Sequence, residues 1–395
     1  MTAAIRSILT PIAIVRLVLG WGAFAALLFA GPLLAPPVPG PLLVTALAII
    51  VGVILICAFG VVNEAEHLAR RLGDPYGSLV LTLSIVLIEV VLIAAVLLGP
   101  GEHATIGRDS VMAVSMIILN AVIGLCLLVA GLRHGGLAHN RTGVSTYLSL
   151  IIVLAALAFA LPALIGSNGS YEEWQEIPII VITIGIYAFF LFRQMGAQAA
   201  DFYEVDPRST QSAEVAAESA STTVETAPQQ STAPQQSIVE IISTHRTEII
   251  VRLALLVATV TPIVLLSHDM ASLLDDGLGR LGAPVALSGV VIALIVFLPE
   301  TITSVRAAWA GEIQRVSNLC HGAQVSTVGL TIPTVLLIGL LTDQPIVLAE
   351  SPANLLLFAV TLLVSVTTFA AKKITAVHGG AHLVVFAIFG ITLFS

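Results

Sequence analysis

Eleven apolar stretches, each long enough to cross a membrane, constrain this chain more than any other feature. A helix needs about 20 apolar residues to span the hydrocarbon core of a bilayer. The stretches lie at residues 12–34, 42–62, 78–98, 110–131, 146–166, 177–195, 247–267, 284–306, 316–341, 353–371 and 376–394. They lack the alternation of apolar and polar residues that a membrane β-barrel requires. The sequence therefore predicts an all-α polytopic membrane protein with about 11 transmembrane helices.

The composition supports a chain that is solvated mainly by lipid. Of the 395 residues, 57% are hydrophobic and 10% are charged, whereas soluble domains carry about 25% charged residues. No basic patch is available to neutralise phosphates, so we expect no nucleic-acid partner. The three cysteines, Cys57, Cys126 and Cys320, fall in apolar stretches. We interpret them as small core residues and not as a disulfide or metal-binding set.

Lysine and arginine residues between the stretches predict the orientation in the membrane, because they are enriched on the cytoplasmic side. If the N-terminus lies in the cytoplasm, all of the 16 Lys and Arg lie inside except Arg108 and Arg280. The C-terminus then lies outside. The sequence therefore predicts a multi-pass protein with a cytoplasmic N-terminus.

A segment rich in Ser, Thr, Ala, Gln and Pro separates the sixth and seventh stretches, and we interpret it as a cytoplasmic, largely disordered linker. Setting the first stretch aside leaves five on each side of the linker. An odd number of spans reverses the orientation of the second set, which is the inverted-repeat plan of many secondary transporters. We therefore predict an N-terminal transmembrane helix at 1–38, a linker at 197–244, and inverted five-helix repeats at 39–196 and 245–395.

Two acids, Glu89 and Glu300, lie inside apolar stretches. Each belongs to the second stretch of its half, and inverted halves bring matching positions together near the membrane midplane. An ionised acid at that depth costs about 2.5–3.5 kcal/mol on insertion scales, so such residues are functional by default. The alternative is structural, with protonated glutamates hydrogen-bonding to neighbouring helices.

A pair of buried carboxylates suits the exchange of a cation for protons. Two carboxylates balance one divalent ion, and hard cations such as Ca²⁺ prefer charged oxygen ligands. When the ion leaves, burial and mutual repulsion favour proton uptake. The pair therefore predicts a cation and proton site in an antiporter. A membrane-embedded enzyme stays an alternative, although the chain carries no hydrolase, metalloprotease or nucleotide-binding motif. A channel would need a repeated filter loop, which we do not find.

Polar residues in two further stretches extend the candidate site. The ninth stretch contains NLCHGAQVSTVGLTIP, in which Gln324, Ser326 and Thr327 offer neutral oxygens or hydrogen bonds. In the same stretch, His321 is either a satisfied core histidine or a proton carrier. Asn120 is the one amide in the corresponding part of the fourth stretch. We rank these polar residues as secondary site candidates.

Glu64 and Glu66 lie where the second stretch reaches the cytoplasm, in the string VVNEAEHLARRLGDPYG. One interpretation is an acidic funnel at the inner mouth of a cation pathway. The other is a solvated helix end whose acids pair with nearby arginines, since exposed charge clusters contribute little.

Two long strings resemble a known family. EHLARRLGDPYGSLVLTLSIVLIEVVLI (66–93) and FLPETITSVRAAWAGEIQRVSNLCHGAQVSTVGLTIP (297–333) resemble the two repeats of the calcium/cation antiporter superfamily, in its cation/proton exchanger branch. Within this branch the strings resemble the bacterial ChaA type, the sodium-potassium/calcium:proton antiporters. The resemblance implies an eleven-span transporter that exports Ca²⁺ or monovalent cations as protons enter. It implies essential acids at Glu89 and Glu300, with polar partners near Asn120 and in Gly322–Ser326.

The resemblance also implies what the protein binds and where it resides. Small cations and protons are the expected partners, in the inner membrane of a bacterium, with no enzyme activity and no resident cofactor. The transported ion stays open between Ca²⁺ and Na⁺ or K⁺. The chain has VLIE and FLPE where many members of the branch place Gly-Asn a few residues before each acid. The oligomeric state, including a homo-oligomer, is open as well.

Overall fold

The computed structural model describes residues 8–34, 37–72, 83–84, 86–87, 89–91, 93–94, 97–98, 104–204, 238–284 and 286–394. Most of these residues are helical, and none of them forms a strand beyond isolated bridges. We number the helices α1 (Pro11–Ala30), α2 (Gly40–Leu72), α3 (Ile106–His134), α4 (Arg141–Ile165), α5 (Glu173–Met195), α6 (Ile238–Arg280), α7 (Ala286–Ala310), α8 (Ile313–Thr342), α9 (Pro352–Ala370) and α10 (Ala376–Thr392).

Within the described part of the chain, nine helices are long and apolar enough to cross a membrane, and α10 is a shorter apolar helix. The predicted class, an all-α polytopic membrane protein, is confirmed. The predicted third stretch, 78–98, is described only at scattered positions, including Glu89–Val91, which are helical. The remainder of that stretch lies outside the described residues, and the predicted number of about 11 spans rests partly on it.

Helices α2 and α6 are longer than the apolar stretches 42–62 and 247–267 that predicted them. The apolar pattern marks the part of a helix that lies in lipid and does not mark its ends. Beyond the lipid, charged side chains of the two helices pair with each other, as Arg71 does with Glu248 at 3.2 Å. These pairs allow both helices to continue into the polar region.

Both ends of the predicted linker, 197–244, are helical in the structure. At its start Ala199–Phe202 forms a 3₁₀ turn, and at its end a short helical segment of α6 begins at Ile238 and meets the rest of α6 at a kink at His245. Residues 205–237 lie outside the described residues, so the predicted disorder there stays a prediction. The linker is thus shorter at both ends than its composition indicated.

The start of the linker is docked on the first turn of α8. The carboxylate of Glu204 accepts hydrogen bonds from the backbone N–H groups of Gln314 (3.2 Å) and Arg315 (3.0 Å). Side-chain oxygens at this position satisfy donors that a helix leaves free at its N-terminus. In addition, Asn318 donates to the carbonyl of Phe202 at 2.6 Å. The linker therefore begins as a cap on the helix that carries Gln324 and Thr327.

The helices of the two halves pack on each other in exchanged pairs. The first helices, α2 and α6, form the most extensive contact of the molecule as described. The third helix of the first half, α3, packs on α10, and the third helix of the second half, α8, packs on α5. Each third helix therefore contacts the last helix of the other half. Two halves related by a twofold axis produce this exchange, which supports the predicted inverted repeats.

Helices α3 and α10 approach each other closely at a pair of glycines, Gly124 and Gly379. A Cβ atom added to Gly379 would lie 2.5 Å from the carbonyl oxygen of Gly124 and 2.4 Å from the backbone nitrogen of Leu128. Small residues permit such approaches between membrane helices. The neighbouring Gly380 has no atom within 4 Å of the same position.

We expect Gly379→Ala to destabilise the protein and Gly380→Ala to leave its stability unchanged or slightly raised. The first substitution forces two backbones apart, at a cost of about 1–3 kcal/mol. The second adds a methyl group in open space and improves helix propensity. Thermal unfolding of the two purified variants in one detergent measures the difference. Equal melting temperatures would show that α3 and α10 are not held at this distance.

Candidate cation and proton site

Glu89 and Glu300 are both buried, with 3% and 5% of their surfaces exposed. Glu300 lies near the middle of α7, one residue after Pro299, and α7 runs through the proline as one helix. The two carboxyls lie close enough to each other for a direct electrostatic interaction. The structure thus brings together two acids that lie about half the length of the sequence apart.

Most of the oxygen atoms of this acid pair lack a hydrogen-bond donor. The hydroxyl of Thr327 donates to Oε2 of Glu89 at 2.6 Å. The second oxygen of Glu89 and both oxygens of Glu300 have no hydrogen-bond partner among the described residues. Buried polar atoms in this condition are costly and rare. Three buried carboxyl oxygens are therefore available to a cation or to bound protons.

Gln324 adds a neutral oxygen near the acid pair. It lies on α8 one turn before Thr327 and is fully buried. Its Nε2 donates to the hydroxyl of Ser115 on α3 at 2.7 Å, and its Oε1 has no partner within the described ranges. Ca²⁺ takes six to eight oxygen ligands, whereas smaller sets suit weaker binding. The unpartnered oxygens of the acids and of Gln324 are therefore candidates for part of such a shell.

Ser115 contacts this site although its sequence position does not indicate it. A hydroxyl in an apolar helix is a weak signal, because it can bond to a carbonyl of its own helix. Ser115 does so as well, donating to the carbonyl of Val111 at 2.6 Å. Only the packing of α3 against α8 reveals its second partner.

Ser326 and Asn120 connect helices to one another. Ser326 accepts a hydrogen bond from the hydroxyl of Tyr187 at 3.0 Å, which joins α8 to α5. Asn120 lies in a π-helical turn of α3, donates to Thr361 at 2.9 Å and lies 3.4 Å from a ring nitrogen of His382. These bonds lead to α9 and α10 and not to either acid. A direct ligand role for Asn120 stays a prediction.

His321 is fully buried on α8, one turn before Gln324. Its Nδ1 lies 2.9 Å from the hydroxyl of Ser317, and its ring packs against Phe369 and Tyr147. The other ring nitrogen, Nε2, has no hydrogen-bond partner in the described part of the chain. His321 is thus only half satisfied, unlike an ordinary core histidine.

Glu64 and Glu66 are paired with arginines. Glu64 lies 2.6 Å from Arg252, and this pair joins α2 to α6 with both side chains about nine-tenths buried. Glu66 lies 3.4 Å from Arg70 on the same helix and is more exposed. The alternative of a solvated helix end with local arginine pairing describes Glu66, whereas Glu64 is buried and pairs with an arginine of the other half. A role at the inner mouth stays a prediction.

Membrane-crossing helices, exchanged packing of two halves and a buried acid pair define a polytopic cation transporter. The chain belongs to the sodium/calcium exchanger protein family, whose model matches residues 42–196 and 251–394. Its members are exchangers and antiporters of cations. This match confirms the resemblance to the calcium/cation antiporters that the two repeat strings indicated.

Two relatives match most of the chain. A protein of Sinorhizobium fredii named "Putative ionic transporter y4hA" is 32% identical over 344 residues, covering 86% of this chain and 85% of the relative. The sodium-potassium/proton antiporter ChaA of Escherichia coli is 29% identical over 344 residues, covering 87% of each chain. Both likenesses extend through the two halves.

Solved structures show the same fold. The H⁺/Ca²⁺ exchanger CAX matches with a TM-score of 0.66 and 12% identity, covering 96% of this chain and 87% of that one. Native YfkE matches with a TM-score of 0.61 and 14% identity, covering 96% and 99%. At these identities the match establishes the fold alone.

We expect Arg252→Met to destabilise the protein strongly and Glu64→Gln/Arg252→Met together to restore much of the loss. Removing one partner of a buried ion pair leaves an uncompensated charge and costs about 3–5 kcal/mol, whereas replacing both partners is often close to neutral. Unfolding of the purified variants in detergent measures each step.

The exposed pair of Arg70 and Glu66 provides the control. Arg70→Met should change the free energy of unfolding by no more than about 1 kcal/mol, because water screens this pair. If Arg70→Met and Arg252→Met cost the same, the pair between α2 and α6 does not hold the two halves together.

Proposed function

We propose that this protein is a secondary active cation/proton antiporter that exports Ca²⁺ in exchange for H⁺ and carries no enzyme activity. One observation supports this proposal most. Two buried carboxyls, Glu89 and Glu300, meet from matching helices of the two halves, and three of their oxygens have no partner among the described residues. In lipid such a pair requires a counter-charge or protons.

Exchange follows from alternating occupancy of this acid pair. When a cation is bound, both carboxylates are ionised and the ion balances their charge. When the cation leaves, repulsion between two buried carboxylates favours binding of protons in its place. An empty, doubly charged site is the costly state, so it crosses the membrane slowly. The site therefore crosses in one direction with the cation bound and in the other with protons bound. Each transport cycle then couples the two flows.

The ion is Ca²⁺ on grounds of charge, because two carboxylates balance one divalent ion. A Na⁺(K⁺)/H⁺ antiporter without a preference for Ca²⁺ is the second candidate. It is favoured by the sodium-potassium/proton antiporter of Escherichia coli, which is 29% identical to this chain. One bound monovalent ion would leave one negative charge on the pair, and a single proton would balance that charge.

The protein lies in the inner membrane of a bacterium, with its N-terminus in the cytoplasm and its C-terminus outside. The distribution of Lys and Arg supports this orientation. It places the cap formed by Glu204 and the pairs of Glu64 and Glu66 at the cytoplasmic face. The second half then runs opposite to the first.

We expect Glu89→Gln and Glu300→Gln each to abolish exchange, because either change removes the charge that binds the cation and the group that binds the proton. Collapse of a pH gradient in everted membrane vesicles on addition of Ca²⁺, Na⁺ or K⁺, followed with a pH-sensitive dye, measures it. Glu312→Gln is the control, since this acid pairs with Arg315 in an exposed position and should exchange normally.

The same experiment identifies the ion. A response to Ca²⁺ at lower concentration than to Na⁺ or K⁺ supports the first candidate, and a response to Na⁺ or K⁺ alone supports the second. Apparent affinity for the cation should rise with pH, because protons then compete less. If correctly inserted wild-type protein responds to no cation, or if either glutamine variant exchanges normally, the proposal is wrong.

Thr327 provides a finer test, because its hydroxyl holds Glu89. Thr327→Val removes a hydrogen bond to a charged group, which contributes about 1.5–3 kcal/mol. We expect KM for the cation to rise about tenfold or more. Thr327→Ser keeps the hydroxyl and should behave like wild type. Equal KM values for Val and Ser would mean that this hydrogen bond does not position Glu89 for binding.

A further inference from the structure

A set of buried histidines lies between the acid pair and the cytoplasmic end of the helices. His139 belongs to the connection between α3 and α4, His321 to α8 and His382 to α10, and each is buried. His321 is within electrostatic range of the other two. The exchange mechanism proposed above assigns no role to any of these three histidines.

Two of these rings are held against the same side chain. The ring centroid of His321 lies 4.9 Å from that of Phe369, and the centroid of His139 lies 5.4 Å from it. Tyr147 stacks on the other side of His321 at 6.1 Å. Phe369 thus fixes the positions of a histidine inside the membrane and a histidine at its cytoplasmic border.

Each of these two rings has one nitrogen free to take up a proton. Nε2 of His139 lies 2.8 Å from the carbonyl of Phe369, to which it donates, and its Nδ1 is buried without a partner among the described residues. Nε2 of His321 is equally buried and unpartnered in that part of the chain. A buried ring nitrogen without a partner is an exception that calls for a bound proton, water or ion.

His321 lies on α8 between the cytoplasmic end of this helix and the acid pair. The helix begins at Ile313 near the predicted cytoplasmic face, and His321 lies about 12 Å further along the axis at 1.5 Å per residue. Thr327, which holds Glu89, follows about 9 Å beyond His321. Gln324 lies between the two, and its Oε1 is again without a described partner. Polar atoms therefore recur along α8 from its cytoplasmic end to the acids.

Building on the antiport proposed above, we propose that His321 and His139 form a proton relay that connects the acid pair to the cytoplasm, separate from the route of the cation. A protonated acid gives its proton, through bridging water near Gln324, to the free nitrogen of His321. The acid becomes a carboxylate and the ring becomes an imidazolium. The imidazolium passes the proton to His139, which releases it to water, and both rings return to the neutral state.

The groups around the relay are compatible with this direction. Burial lowers the pKa of His139, and nearby Arg141 lowers it further. The hydrogen bond to the carbonyl of Phe369 partly opposes this shift. This ring therefore holds a proton weakly and gives it up at cytoplasmic pH. His321 faces Tyr147 and Phe369, with His382 as its further titratable neighbour.

Two transport reactions of the purified, reconstituted protein separate the relay from the cation site. The first is cation/proton exchange driven by a pH gradient, and the second is self-exchange of isotopically labelled cation at equal pH on both sides, which moves no net protons. His321→Gln and His139→Gln should each lower the first reaction, by on the order of 10²-fold for His321, with a flattened pH profile, and leave the second unchanged. His134→Gln, at the exposed histidine that ends α3, should leave both unchanged.

The outcomes distinguish a proton relay from a structural role of the two histidines. A parallel loss of both reactions in both variants would show a structural role and overturn the relay, as would normal cation/proton exchange in both. If His321→Gln loses self-exchange through misfolding, His139→Gln decides, because His139 lies in a connection outside the helices. Wild-type protein that performs self-exchange but moves no protons in the first reaction would refute the antiport proposal itself, a result distinct from a failure of the relay.

Discussion

The repulsion between two carboxyls in a medium that solvates charge poorly governs how this molecule is arranged. A single buried acid is neutralised by one proton, but two adjacent acids can be balanced by a divalent cation or by two protons. The fold must therefore hold Glu89 and Glu300 close without supplying a permanent counter-charge. Among the described residues, the neutral hydroxyl of Thr327 donates to Glu89, and the neutral amide of Gln324, one turn earlier on α8, donates to Ser115. Neither can neutralise the pair, so the need for a mobile cation persists.

The packing of the two halves determines that the acids meet. Glu300 is carried by α7, and Glu89 by the segment that precedes α3. Exchanged contacts, with α3 on α10 and α8 on α5, interlock the halves around these helices. At the cytoplasmic end the pair of Glu64 and Arg252 joins α2 to α6. Ion pairs between side chains thus lie at the ends of the helices. The two carboxyls that need a transported cation or protons lie in the middle.

Apolar length and the rarity of intramembrane acids were sufficient to predict the helical membrane class and to select Glu89 and Glu300. The same signals could not locate helix ends, because α2 and α6 continue through residues stabilised by pairing instead of lipid. Nor could they predict the bond between Gln324 and Ser115, which depends on how α3 and α8 face each other. Asn120 shows that depth in the membrane alone does not predict contact with the acids. Its amide lies at the expected depth but forms its bonds with α9 and α10.

Helix α8 unites features that the sequence presents separately. Its first turn is capped by Glu204 at the start of the linker, its third and fourth turns carry His321 and Gln324, and Thr327 holds an acid of the pair. A rigid helix transmits a displacement at one end to side chains at the other, because backbone hydrogen bonds resist bending. Movement of α8 would therefore alter the cap, the histidine contacts and the hydroxyl on Glu89 together. Cation release and proton transfer would then be coupled through one element and not through two independent gates.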